Sequence, residues 1–120
     1  MRLALLTLFD ILCHIWHIEV YVRISVTIEF QRWLTRLSDK SRGQMNARLE
    51  RIENHGYFGD TKYLGDELFE LRWANGWRVY YTQSLDFNGN IILLLLGGLK
   101  NAQKKDIKKA RHLAQKYKAR

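Results

Sequence analysis

The chain has 120 residues, which is enough for one domain with a hydrophobic core and makes two domains improbable. Its 47% hydrophobic and 27% charged residues are ordinary for a soluble globular protein. The formal net charge of +8 indicates a polyanionic partner, which could be nucleic acid, an acidic protein or an anionic membrane surface.

The first residues form a strongly apolar segment over positions 3–18, interrupted by an aspartate and two histidines. It is shorter than the roughly 20 residues that a bilayer span needs, and no signal-peptide cleavage site follows it. Two interpretations stay open: a short helix packed on the domain or on a second copy, or an extension over residues 1–20 that the folded unit does not require. We favour the extension and expect no membrane association. Cys13 is the single cysteine, so an internal disulfide bond is excluded and a reducing cytoplasm is the expected setting.

The next part of the chain predicts a strand followed by two helices. Apolar and polar residues alternate over residues 21–27, as in a half-buried strand. A helix ending near residue 38 is predicted from an apolar stripe of Phe30, Trp33, Leu34 and Leu37. A second helix is predicted over residues 41–54. Its expected inner residues are Met45, Leu49 and Ile52, and its expected outer residues are Arg42, Arg48 and Arg51. The two helices should form a helical hairpin.

The segment over residues 55–66 has three glycines and no apolar period, so it predicts an ordered loop. Further on, residues 86–90 predict a turn, and the unbroken apolar run 91–96 predicts a central strand buried on both faces. A flexible pair, Gly97 and Gly98, is expected to leave the sheet, and a final lysine-rich helix is expected from about residue 102. The expected product is an α+β domain with helices on the covered face of a small sheet.

Residues 70–81 predict a hairpin with a three-residue turn at residues 74–76, in which Gly76 adopts the left-handed conformation. This register pairs Trp73 with Trp77 and Arg72 with Arg78. A two-residue turn at residues 75–76 is the alternative, but it would place an indole and a guanidinium on one face. The apolar side chains expected on the core face are Phe69, Leu71, Trp73, Trp77, Val79 and Tyr81, and those expected on the other face are Glu70, Arg72, Arg78 and Tyr80.

The arginine pair of this hairpin predicts a nearby anion, because like charges directly across a ladder destabilise it. One interpretation is that Glu70 neutralises both arginines as a surface ion network. The favoured interpretation is a phosphate cradle, in which the guanidinium groups of Arg72 and Arg78 together line an exposed recess.

Four motifs then carry a family resemblance. They are Thr27-x-Glu29-Phe30-x-x-Trp33-Leu34-x-x-Leu37, Gly65-Asp66-x-Leu68-x-Glu70-Leu71-Arg72, Gly76-x-Arg78-Val79-Tyr80-Tyr81 and Gly97-Gly98-x-Lys100-x-x-Gln103-x-x-Asp106-Ile107. Over residues 21–117 the chain resembles the RelE/ParE toxin superfamily, in particular the HigB-like addiction module killer proteins of the phage Gp49-like group. The resemblance implies a RelE-like α+β fold, with a small twisted, mainly antiparallel sheet, an N-terminal helical hairpin and a C-terminal helix. It assigns residues 21–120 to the toxin domain.

The resemblance implies the toxin of a type II toxin–antitoxin module. It implies a hetero-oligomer with a cognate antitoxin, a HigA-like helix-turn-helix protein, and, once released, cleavage of messenger RNA in the ribosomal A site. This reaction would take place in the cytoplasm, with no metal or other cofactor and no membrane. Two other functions stay open: a ParE-like toxin that poisons DNA gyrase, and a non-catalytic basic module that binds nucleic acid.

The resemblance also implies which residues act. Arg78 matches an arginine that stabilises the scissile phosphate, Arg72 is its neighbour, and Lys100 matches a basic residue after the last strand. Planar guanidinium groups suit the negative charge that builds up when a 2′-OH attacks phosphorus. The position of a tyrosine used by several relatives holds Ile107 here. The residues expected to bind the substrate are Tyr80, Lys62, Gln103, Lys104, Lys108 and His112.

Overall fold

A computed structural model of the chain describes residues 21–86 and 89–118. Its elements, in chain order, are β1 (Tyr21–Val26), α1 (Ile28–Thr35), α2 (Asp39–His55), β2 (Thr61–Gly65), β3 (Leu68–Arg72), β4 (Trp77–Asp86), β5 (Gly89–Leu99), a 3₁₀ turn (Lys100–Ala102) and α3 (Gln103–Lys118). The expected extension over residues 1–20 lies outside the described residues, and so do residues 87–88 of the predicted turn. None of the helices in the described ranges has the length and apolar character needed to cross a bilayer.

The strands form one sheet in the order β1-β5-β4-β3-β2. β1 runs parallel to β5, and every other neighbouring pair is antiparallel. The predicted central strand is confirmed, because β5 lies between β1 and β4 and buries Ile92, Leu94 and Leu95 completely. The mainly antiparallel α+β sheet is confirmed as well.

Helices cover both faces of this sheet, whereas the sequence predicted helices on one. Phe30 of α1 and Met45 of α2 pack with Leu94 in one core cluster, and Leu113 of α3 packs with Leu95 in a second. Successive strand residues point to opposite faces, so the two clusters lie on opposite sides of β5. The expectation is wrong because an uninterrupted apolar strand presents apolar side chains on both faces, and each face needs a layer of helix.

The predicted helical hairpin is confirmed, and its two helices begin with capping side chains. The Thr27 hydroxyl accepts from Phe30 N at 3.0 Å and donates to Leu95 O at 2.7 Å, which ties the start of α1 to the central strand. Ser38 caps α2 in the same way, and Gly56 ends it in the left-handed conformation with φ 64°.

The predicted loop over residues 55–66 is wrong in its second half, since Thr61–Gly65 forms the edge strand β2. The first three residues of this strand are exposed, so its sequence does not need the apolar alternation that marks a half-buried strand. Tertiary contacts hold it instead: the Thr61 hydroxyl lies 2.8 Å from the Tyr81 hydroxyl, and Arg111 of α3 donates to Leu64 O at 2.7 Å.

The glycine pair remains within β5 and does not leave the sheet as predicted. A Cβ on Gly97 would lie far closer than 3.0 Å to the Trp33 ring, and a Cβ on Gly98 equally close to the carboxylate of Asp106. Trp33 belongs to α1 and Asp106 to α3, on opposite faces of the sheet. The glycines are therefore explained by close packing on both sides of the strand, and not by flexibility.

We expect Gly97→Ala to lower the free energy of unfolding by about 1–3 kcal/mol, because the added methyl group must displace the Trp33 ring. Gly43→Ala in α2 is the matched control, since a Cβ there meets nothing within 4 Å. It should stabilise the helix by about 0.5–1 kcal/mol. Urea unfolding of the two variants measures both values. Equal stability of Gly97→Ala and the wild type would contradict the packing explanation.

Candidate functional site

The hairpin of β3 and β4 has the predicted three-residue turn. Trp73 N donates to Trp77 O at 3.0 Å, Gly76 N donates to Trp73 O at 3.0 Å, and Gly76 has φ 101°. Arg72 pairs directly with Arg78. The two-residue alternative is thereby excluded. The predicted faces are confirmed too, because Leu71, Val79 and Tyr81, with Phe69, Trp73 and Trp77 packed against them, belong to the core cluster of α1 and α2.

On the other face, two rows of directly paired residues cross the sheet beneath α3. The first row contains Lys62, Glu70, Tyr80 and Leu96, and the second contains Arg72, Arg78 and Gly98. Directly paired residues share a face. The register thus gathers a carboxylate, a phenol and two guanidinium groups within two adjacent rows, next to the exposed Lys62 at the edge.

The first turn of α3 lies over these rows. Gln103 Nε2 donates to Glu70 Oε2 at 2.7 Å, and Asp106 packs against Gly98. Gln103, predicted to bind substrate, therefore joins the final helix to the sheet through Glu70. The absence of a side chain at Gly98 leaves the space that Asp106 fills.

Glu70 is the centre of the cluster and is completely buried. Its Oε1 lies 3.7 Å from Arg72 Nε and 3.9 Å from Arg78 Nε. These distances exceed hydrogen-bond length, so the carboxylate attracts both cations mainly through charge. Glu70 thus lies between the arginines, as the ion-network interpretation expected, but within the protein and not on its surface.

Arg72 and Arg78 differ strongly in exposure, with 38% of the Arg72 side chain exposed and 6% of the Arg78 side chain. Arg78 Nη1 donates to Trp77 O at 2.9 Å and to Trp73 O at 3.2 Å, which holds it against the hairpin turn. The expectation of two exposed guanidinium groups is therefore correct for Arg72 and wrong for Arg78. Arg78 has a paired strand on each side, β3 and β5, whereas Arg72 has β4 on one side and the loop residue Asp60 on the other.

Tyr80, predicted to bind substrate, is completely buried between the sheet and α3. Burial raises the pKa of its phenol, and the charges of Glu70 and Asp106 raise it further. Burial also raises the pKa of Asp106, while Lys105 and Lys109 act in the opposite direction. Tyr80 is therefore a neutral phenol near neutral pH, enclosed within the cluster.

The remaining predicted residues are exposed side chains, and they differ in their distance from the cluster. Lys100 lies at the arginine end of the sheet, where its backbone N–H donates to Gly76 O at 2.7 Å. Lys104 and Lys108 are exposed on the first half of α3. His112 is exposed as well, but it lies roughly 13 Å along the helix from Gln103. The structure thus brings Lys100 to the arginine end and places His112 away from it. No group of side chains in the described ranges has the arrangement of a metal site.

Arg48 also belongs to this region, and the prediction that it lies on the outer surface of α2 is wrong. It is half-buried, Nη1 donates to Arg72 O, and Nη2 donates to Asp60 O at 2.7 Å and to Phe58 O at 2.8 Å. Its guanidinium carbon lies 4.2 Å from the centre of the Trp73 ring. The signal was present in the sequence, because Arg48 lies three residues after Met45 and four before Ile52, on the inner side of the helix.

A separate surface groove of about 920 Å³ lies along the second half of α3. Its lining includes Thr82, Ser84, Leu93, Ala114 and Lys118. It contains none of the predicted site residues, so the charged cluster beneath the first turn of α3 is the candidate site.

Comparisons with known proteins bear on the family and the fold. Residues 32–118 match the family model described as "Phage derived protein Gp49-like". An uncharacterized protein of Haemophilus influenzae is 41% identical over 97 residues, which cover 78% of this chain and 94% of that protein.

Three solved structures share the fold. The E. coli RelBE toxin–antitoxin complex matches with a TM-score of 0.53 and 15% identity, covering 67% of this chain and 96% of that chain. The RelE–RelB complex of Pyrococcus horikoshii matches with a TM-score of 0.53 and 15% identity, covering 68% and 97%. The YoeB/ParE toxin of Agrobacterium tumefaciens matches with a TM-score of 0.51 and 13% identity, covering 64% and 97%.

Proposed function

Because this chain belongs to the phage-derived Gp49-like family and has the fold of RelE-type toxins, we propose that it is the toxin of a toxin–antitoxin module that cuts messenger RNA on the ribosome. The observation that carries this proposal is the row of Arg72 and Arg78 at one end of the sheet, with the Arg72 side chain partly exposed. A guanidinium group in this position is suited to bind a phosphate of RNA by paired hydrogen bonds.

In the proposed reaction, a 2′-OH gives its proton to a solvent water and attacks the adjacent phosphorus. The bond from phosphorus to the 5′ oxygen breaks and that oxygen gains a proton from Lys100, which leaves a cyclic 2′,3′-phosphate and a free 5′-OH. Negative charge on the non-bridging oxygens rises on the way. Arg72 donates to these oxygens, and Lys100 at the same end of the sheet supplies a second cation and the proposed proton donor. Lys62, Lys104 and Lys108 are exposed nearby and bind the RNA backbone.

Arg78 has a different part in this proposal from the one that the resemblance implies. Its side chain is 6% exposed and bonded to the hairpin carbonyls, so it does not contact substrate in the observed arrangement. Its buried positive charge lies next to Arg72 in the same row, and both arginines attract the Glu70 carboxylate. Tyr80 and Gln103 act within the same buried cluster.

The proposed partner is a cognate antitoxin. The net charge of +8 and the exposed lysines of the final helix favour a partner with an acidic segment, and such a segment would cover the basic surface that RNA needs. The structural neighbours from E. coli and P. horikoshii are themselves complexes with antitoxins. A HigA-like antitoxin and a cytoplasmic location belong to this proposal.

The proposal predicts that induction of the chain without its neighbouring gene stops growth and produces cuts in messenger RNA that follow the codon phase. Primer extension on several transcripts after induction measures the cuts, and co-expression of the neighbouring gene is the control. DNA breaks with intact messenger RNA would instead indicate a gyrase poison. Unchanged growth would contradict the toxin function itself.

A further inference from the structure

Arg48 contacts the candidate site from the side opposite to its reactive face. It projects from α2, a helix fixed to the core by the completely buried Met45 and Ile52. Its guanidinium group donates to carbonyl oxygens of Phe58, Asp60 and Arg72, and it stacks on Trp73. One side chain therefore connects a helix, the loop before β2 and the end of β3.

These contacts form a closed network around the peptide groups of Arg72. The backbone N–H of Arg72 donates to Asp60 O at 2.9 Å, and Arg48 donates both to Asp60 O and to Arg72 O. Both backbone polar groups of Arg72 are thus linked to the two-pronged guanidinium group (the fork) of Arg48, the carbonyl directly and the N–H through Asp60 O. Trp73 follows Arg72 directly and packs against the Arg48 guanidinium group. Together these contacts oppose a shift of the strand end along α2 and its movement away from the helix.

The network depends on the planar, multiply donating shape of arginine. A lysine ammonium could not reach three carbonyls and stack on an indole at once. The loop is shaped to admit the fork: Gly59 has φ 72°, and a Cβ there would lie 3.2 Å from Arg48 Nη2. Both observations indicate a built arrangement and not an adventitious surface contact.

We propose that Arg48 is a positioning residue, which fixes the backbone of Arg72 from the core face so that the Arg72 side chain points toward the phosphate. This inference rests on the proposed function, because Arg72 is the residue proposed to contact RNA. Misplacing a catalytic group by about 1 Å can cost on the order of 100-fold in rate, so loss of the fork should lower kcat.

A double-mutant cycle tests the inference on the full chain with programmed ribosomes. Arg48→Lys should lower kcat roughly 10- to 100-fold with KM within about twofold. In the Arg72→Ala background the same substitution should change kcat by less than about twofold, since the group it positions is gone. Arg51→Lys, an exposed arginine on the same helix, is the matched control and should leave kcat unchanged. An equal loss in both backgrounds would show that Arg48 does not act through Arg72.

Hydrogen exchange of the Arg72 amide gives a readout that does not require cleavage. The Arg72 amide hydrogen should exchange faster in Arg48→Lys than in the wild type, while the amides of the central strand β5 should keep their protection. Unchanged exchange at Arg72 would overturn the inference even if the protein proves not to cut RNA. Absence of cleavage by the wild type would overturn the proposed function alone. If Arg48→Lys does not fold, Gly59→Ala replaces it, because its methyl group would lie 3.2 Å from Arg48 Nη2 and press on the guanidinium group. Gly65→Ala, which is also in the left-handed region but has nothing within 4 Å of the added Cβ, controls for backbone strain, and the same two outcomes apply.

Discussion

Replacing Arg72 by alanine should lower the rate of messenger RNA cleavage by roughly 10²- to 10³-fold, which is the usual effect of losing one preorganised donor to a developing negative charge. Arg72 is the arginine of the pair whose side chain reaches solvent, with 38% exposed. Single-turnover cleavage of a defined transcript on purified ribosomes measures the rate. The free energy of unfolding should change little, because the Glu70 carboxylate keeps its ion pair with Arg78 and its hydrogen bond from Gln103.

Arg36→Ala is the matched control for this experiment. Arg36 is exposed at the C-terminal end of α1, and its removal changes the net charge by the same amount. A loss of activity that followed from net charge alone would be similar in both variants. If Arg72→Ala cuts RNA as fast as Arg36→Ala does, Arg72 is not the phosphate contact.

Glu70→Ala should lower the free energy of unfolding by about 3 kcal/mol or more. The substitution leaves the buried Arg78 guanidinium without its counter-charge, and breaking a buried ion pair on one side typically costs about 3–5 kcal/mol. It also leaves Gln103 Nε2 without its acceptor, which loosens the first turn of α3. Urea unfolding followed by circular dichroism measures the change.

A second carboxylate in the same chain offers the comparison. Glu67 pairs with Lys118 at 3.0 Å, but 70% of the Glu67 side chain and 76% of the Lys118 side chain are exposed. Removing an exposed pair of this kind costs about 0–1 kcal/mol. Equal losses for Glu67→Ala and Glu70→Ala would mean that Glu70 does not hold the arginine cluster together.

Local signals in the sequence were enough to predict the hairpin at the site. A glycine at the third position of the turn, two tryptophans that pair across it and alternating side chains define the register, because a shift of one residue would turn every side chain to the other face. The apolar stripes of the helices and the unbroken run of β5 were informative for the same reason: each is a periodic pattern over many residues.

The parts that could not be predicted depend on contacts between distant segments. β2 is an exposed edge strand that exists through its pairing with β3 and its contacts with Tyr81 and Arg111. Arg48 was predicted to lie on the surface because it is charged, although its spacing from Met45 and Ile52 places it on the inner side of α2. The burial of Arg78 depends on where α3 crosses the sheet, and no local pattern in β4 contains that information.

The length of the edge strand has one further consequence. β2 starts opposite Leu71, so the residue that borders Arg72 is Asp60 of the preceding loop, which accepts from the Arg72 backbone N–H at 2.9 Å. Because loops accept insertions more readily than strands do, a change in this loop would alter what borders the partly exposed Arg72 side chain while the paired residues of the sheet stay in place.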